Sequence, residues 1–100
     1  MEKRIPHCRL AVVRSLLAAG RVRATATALS GAAALGFDFD DVVAVVQSLE
    51  PEDFYKCMTT VADHRIWQDV YRPVTVGGPV YLKLTVISEV LVVSFKELLR

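Results

Sequence analysis

Cysteine is scarce in this sequence: Cys8 and Cys57 are the only two, and their number and spacing exclude both a disulfide framework and a zinc site. Both are expected to be reduced packing or surface residues. Histidine is as rare, and His7 and His64 stand too far from any patterned partner for a histidine-pair ribonuclease; His64, within ADHR, reads as a loop residue. Asp63 and Asp69 have no third ligand at metal spacing, which disfavours a two-metal nuclease. No cofactor is expected, since there is no Gly-rich phosphate loop, nucleophile elbow or paired-cysteine motif. No apolar run approaches the roughly 18 residues of a membrane span, and MEKRIPHCRLAVVRS lacks the long apolar stretch and cleavage site of a signal peptide. A cytoplasmic chain without membrane contact is expected. Five glycines and four prolines are too few for a disordered chain.

What is present is a folded composition, 53% apolar and 23% charged over 100 residues, which predicts one domain spanning 1–100. The net charge of +1 hides a segregation. Residues 1–23 carry six basic groups against Glu2, residues 24–53 carry six acidic groups and no basic one, and residues 54–100 carry six basic and four acidic groups. A nearly neutral protein can therefore present a basic surface, which attracts phosphates.

Periodicity divides the chain into a helical half and a strand half. Leu10, Val13, Leu16 and Leu17 form an apolar stripe that predicts a helix over about His7 to Ala19, stopped by Gly20. A second helix is expected over about Thr25 to Leu35, ending at Gly36. Val42, Val45, Val46 and Leu49 mark a third, with Asp38 or Asp40 as N-cap and Pro51 closing it. From Asp53 the period falls to two. DFYKCMTT, IWQDVY and the segment PVYLKLTVISEVLVVSFK predict at least four strands, mostly antiparallel, with the helices covering the apolar face in a two-layer α+β sandwich.

Val80, Leu82, Leu84 and Val86 are expected to face the core with Leu91, Val93 and Phe95, leaving Val92, Ser94 and Lys96 on the open face. A tight turn at Ser88-Glu89 pairs Leu82 with Phe95, Lys83 with Ser94 and Tyr81 with Lys96. A hairpin turn at Gly77-Gly78 would set Arg72 opposite Lys83 and Val74 opposite Tyr81. The open face then carries Arg72, Tyr81, Lys83, Ser94 and Lys96, cations around a phenol. Such a face suits a phosphodiester. RNA already holds a nucleophile, the 2′-hydroxyl, beside each phosphorus. The protein need supply only a proton acceptor, charge for the phosphorane and a proton donor for the 5′-oxygen. Clustered cations lower one another's pKa, which brings a lysine toward such work.

The runs DFYKCMTT, DHRIWQDVYRP, VYLKLTVI and VSFKE, with MEKRIPH and AAGRVRATATAL, resemble the MqsR toxin family, whose fold is similar to that of the RelE-type toxins. The resemblance spans essentially the whole chain. It implies a toxin of a toxin-antitoxin system, an endoribonuclease (mRNA interferase) that cuts messenger RNA at GCU-type sites without the ribosome. It also implies growth arrest under stress, an MqsA-like antitoxin partner, and operator DNA met only through the toxin-antitoxin complex. The catalytic set it implies is Lys56 in DFYK, Gln68 in IWQD, Tyr81 in VYLK and Lys96 in SFKE, with Arg72 in VYRP on phosphate. Lys83 joins Arg72 as an RNA-binding candidate, and Tyr55, Met58 and Trp67 are candidates for base contact. Gln68 fits the expected hairpin poorly, because that register puts it opposite Ile87, roughly 20 Å from Tyr81. The face of Lys56 depends on the loop after Thr60, where one residue more or less reverses it. Two rival classes remain open on the residues alone: a noncatalytic nucleic-acid- or partner-binding module, and a subunit that pairs through an exposed edge strand.

Overall fold

Capping sets where the helices begin. The computed structural model describes residues 1–99. Helix α1, Leu10–Ala18, starts after an extended Arg9, three residues later than the apolar stripe suggests. The cause is Asp69, whose carboxylate accepts the backbone N–H groups of His7 and Cys8 at 2.8 and 3.0 Å and holds them out of the helix. Helix α2 spans Ala26–Ala34, capped by Thr25, whose hydroxyl accepts from Ala28 N–H and donates to the Val93 carbonyl. Helix α3, Phe39–Gln47, is capped by Asp38 rather than Asp40, in a reciprocal box with Asp41. Asp40 and Asp41 in its first turn suit the positive end of the helix dipole.

The strands are β1 (Glu2–Lys3), β2 (Val22–Ala24), β3 (Phe54–Thr59), β4 (Trp67–Tyr71), β5 (Val74–Thr75), β6 (Gly78–Val86) and β7 (Val90–Glu97). They form one mixed, mostly antiparallel sheet in the order β1-β3-β4-β6-β7-β2, with β5 paired to one end of β6. Only β2 runs parallel to its neighbour, β7. At two and three residues, β1 and β2 are too short to show a period, so the alternation could not announce them. Val13, Leu17, Ala28, Ala32, Val42 and Val46 of the helices pack on Tyr71, Leu82, Leu84, Val92 and Phe95 of one sheet face. Among the described residues no helix packs on the other face.

Two turns depart from expectation, with different consequences. Between β6 and β7 the turn holds three residues, Ile87 to Glu89, because Val86 pairs with Val90. A bulge then inserts Val93, so that Leu84 pairs with Val92 but Lys83 with Ser94. The two irregularities cancel, and Tyr81 pairs with Lys96 and Leu82 with Phe95 as expected. Between them the faces are reversed. Val92 is fully buried in the core, and Leu91 and Val93 lie on the other side, contrary to the simple alternation. In the preceding hairpin Thr75 pairs with Gly78, so the turn residues are Val76 and Gly77, not Gly77 and Gly78. Thr75 fixes this choice, since its hydroxyl donates to the Gly78 carbonyl and accepts from Gly77 N–H, while Gly78 takes a φ of 100°. Lys83 therefore faces Val70 instead of Arg72, and Val74 faces Pro79 instead of Tyr81.

Helix α2 lies unusually close to β7, because a Cβ added at Gly31 would come within 2.0 Å of the Phe95 carbonyl oxygen. Gly31→Ala should therefore push α2 off β7 and lower unfolding free energy by about 1–3 kcal/mol. Urea denaturation checks this; an unchanged midpoint would contradict the close packing.

Candidate functional site

Residues opposite one another on neighbouring strands share a face, and the ladders line up two rows on the side without helices. The first row is Lys56, Val70, Lys83 and Ser94, one each from β3, β4, β6 and β7. Val70 is fully buried yet lies outside the helix-packed core. The stems of its lysine neighbours must close over it, which lifts their ammonium groups to the rim. The second row runs beside the first. Tyr81 pairs with Lys96, and the register continues past β4 through the Val80 N–H to Pro73 carbonyl bond of 2.9 Å, which sets Arg72 beside Tyr81. A bulge in β3 between Phe54 and Lys56 brings Tyr55 under Arg72, whose guanidinium lies 3.8 Å from the ring centre. Met58 and Gln68 pair on the far side of the first row.

The phenol of Tyr81 is thus ringed by cations. The Lys96 and Lys83 ammonium groups lie 5.2 and 5.8 Å from its ring centre, and Tyr81, Lys96, Glu97, Leu98 and Leu99 line an open depression of about 450 Å³. The lysines differ in surroundings. Lys56 donates a hydrogen bond and ion pair to Glu2 of β1, which pushes its pKa up, chiefly through that hydrogen bond. Glu2 is correspondingly lowered by Lys56. Lys83 has no carboxylate partner among the described residues. Burial first, then repulsion from Lys96 and Lys56, pushes its pKa down. Among the described residues no group of three His, Cys, Asp or Glu side chains is placed to hold a metal ion, and no helix is long and apolar enough to cross a membrane. The arrangement can grip a phosphodiester and exchange protons with it.

Comparison with known proteins agrees with the earlier resemblance. Residues 5–97 match the family described as Motility quorum-sensing regulator, toxin of MqsA. The chain belongs to the MqsR toxin family. Among its relatives is the mRNA interferase toxin MqsR of Escherichia coli (strain K12), 60% identical over 97 residues, covering 97% of this chain and 99% of that protein.

Of the residues the family resemblance implies, Lys56, Tyr81 and Lys96 come together on the open face with Arg72, Lys83 and Tyr55. Gln68 and Met58 lie one row away, on the same face. The shifted hairpin turn moves Gln68 from beside Ile87 to beside Thr85, because Asp69 pairs with Leu84, and this shortens its separation from Tyr81 to roughly 13 Å along the strand. Trp67 does not join them. It alternates with Gln68 and points to the opposite face, where His7 stacks on its ring at 5.7 Å and the Lys3 ammonium lies 4.2 Å from its centre. Cys57 is on that side as well, fully buried, and burial pushes its thiol up to about 12. Sequence reasoning missed Val70 and Glu2. Val70 had a signal, the alternation of Gln68, Val70 and Arg72; Glu2, in a strand of two residues, had none.

Asp69 holds the N-terminal segment in place and so keeps Glu2 beside the site. Asp69→Ala should cost about 3 kcal/mol, from two hydrogen bonds to a charged group, and should raise the exchange rates of the His7 and Cys8 amides. Hydrogen exchange read by NMR checks this, and unchanged rates at those two amides would refute the clamp.

Proposed function

We propose that the chain is the toxin of a toxin-antitoxin pair and an mRNA interferase, cutting messenger RNA on the open sheet face by attack of a ribose 2′-hydroxyl on the adjacent phosphorus. The observation that carries this reading is the gathering of Lys56, Arg72, Lys83 and Lys96 around Tyr81 in a member of a family whose E. coli relative is named as an mRNA interferase. Lys56 and Lys96 supply acid-base work and charge for the phosphorane, Tyr81 orients the phosphate, and Arg72, stacked on Tyr55, holds the backbone. Lysine amines do what a metal-bound water does in other nucleases, so no metal is needed.

RNA enters single-stranded, since a flat sheet face reaches phosphates and splayed bases more readily than a duplex groove. A preference for GCU-type sites, cutting without the ribosome, and growth arrest until an MqsA-like antitoxin binds complete the reading. Operator DNA is met only in that complex, and the setting is the cytoplasm.

The test is to incubate the purified chain, in EDTA, with a single-stranded RNA carrying one GCU and to map the ends. Discrete cuts at that site with cyclic or 3′-phosphate ends are expected, and Tyr81→Phe and Lys96→Ala should each lose about 100-fold or more while staying folded. RNA retained intact would instead mark a noncatalytic binding module. Cutting that EDTA abolishes and magnesium restores would overturn metal independence, and wild-type rates in both variants would move the site elsewhere.

A further inference from the structure

We propose, resting on the ribonuclease reading above, that Lys83 is the general base that takes the 2′-hydroxyl proton and that Lys56, set by Glu2 as a positioning residue, is the general acid for the departing 5′-oxygen. Lys56, Val70 and Lys83 form one row across three strands. The two lysines leave the sheet on the same face with one strand between them, so their Cα atoms lie about 10 Å apart at two strand spacings. An in-line phosphorane held between two N–H to O hydrogen bonds of about 2.8 Å each spans a similar width. Lys96, from the next row and across from Tyr81, then lies to one side, beside the equatorial oxygens, where a fixed positive charge is wanted.

The surroundings separate the two amines in the order the reaction needs. The charged or titratable groups near Lys83 are Lys56 and Tyr55 from β3, Arg72 just after β4, Tyr81 on its own strand and Lys96 from β7. Every permanent charge among them is positive. Of the carboxylates near this face, Glu2 is engaged by Lys56 and Glu97 borders the depression beside Lys96, and neither pairs with Lys83. Lys83 therefore sheds its proton more readily than an ordinary lysine and Lys56 less readily. Environments that pull two like groups apart in this way are what distinguish a base from an acid in one site. In the step itself, neutral Lys83 Nζ accepts the 2′-hydroxyl proton as the O2′–P bond forms. The P–O5′ bond breaks as the Lys56 ammonium gives its proton to O5′, leaving a 2′,3′-cyclic phosphate and a 5′-hydroxyl. Water returns the proton from Lys83 to Lys56 between turnovers.

The experiment is the single-turnover cleavage rate of a one-site RNA across about pH 5 to 12, with enzyme-free alkaline hydrolysis subtracted and RNA binding measured separately. For wild type the rate should rise with pH as Lys83 deprotonates and fall again as Lys56 does. Lys83→Arg keeps the charge but not the proton exchange, so binding should hold within about twofold while cleavage falls about 100-fold or more and its acid limb disappears. If the larger guanidinium disturbs folding, Lys83→Gln carries the same expectation for the acid limb. Glu2→Gln removes the group that raises Lys56, so the alkaline limb should move to lower pH with the acid limb unmoved. An acid limb that survives in the folded Lys83 variant, or an alkaline limb unmoved by Glu2→Gln, overturns the assignment. A wild-type chain that cuts no RNA at any pH would overturn the ribonuclease reading instead, so the two failures are distinguishable.

Discussion

Side-chain parity across the four central strands is the constraint on which the rest depends. Helices cover one face of the sheet, so Leu82, Leu84, Val92 and Phe95 must point into that layer, and whatever alternates with them must point out. Slipping β7 by one residue would bury Lys96 and expose Phe95, at a cost far beyond any contact the open face makes. The cations are thus held apart from the core by the same burial that stabilises the fold. The Val93 bulge is part of this arrangement. It absorbs the extra residue of the Ile87 to Glu89 turn just before the site, so that Ser94 and Lys96 meet Lys83 and Tyr81.

Charge segregation along the chain has a matching layout in space. Asp41 and Asp53, from the acidic stretch, line a cleft with Phe37, Pro73 and Val74 between α3 and β5. Neither faces the lysine row. A nearly neutral protein can in this way keep a cationic face, and Glu2, a carboxylate that does reach it, is tied to Lys56. That pairing also links the N-terminus to the site, through Asp69 holding His7 and Cys8.

The sequence made the layers legible because burial imposes period: the three helices and the long strands follow from Val42, Val46, Leu82 and Leu84. It made Tyr81 and Lys96 legible as a pair, although through two irregularities that cancel. Parity survived the displaced Thr75 turn too, since moving a turn by one residue shifts the register by two, so Arg72 kept its face and changed only its row. What the sequence hid was what side chains decide locally. Thr75 chose the turn, Asp69 shortened α1, and the Val93 bulge put Val92 in the core. The face of Trp67 was not legible, because an aromatic in a strand carries no mark of its face until the register is known.

The central claim is that the scissile phosphate sits on the open face, among Lys56, Lys83, Tyr81 and Lys96. A crystal structure with a short GCU-containing RNA whose reactive 2′-hydroxyl is methylated tests it most directly. The phosphate at the methylated step is expected within hydrogen-bond distance of Lys56 and Lys83, with Tyr81 beside it. RNA seated instead on the Trp67 side, or against α3, would contradict it.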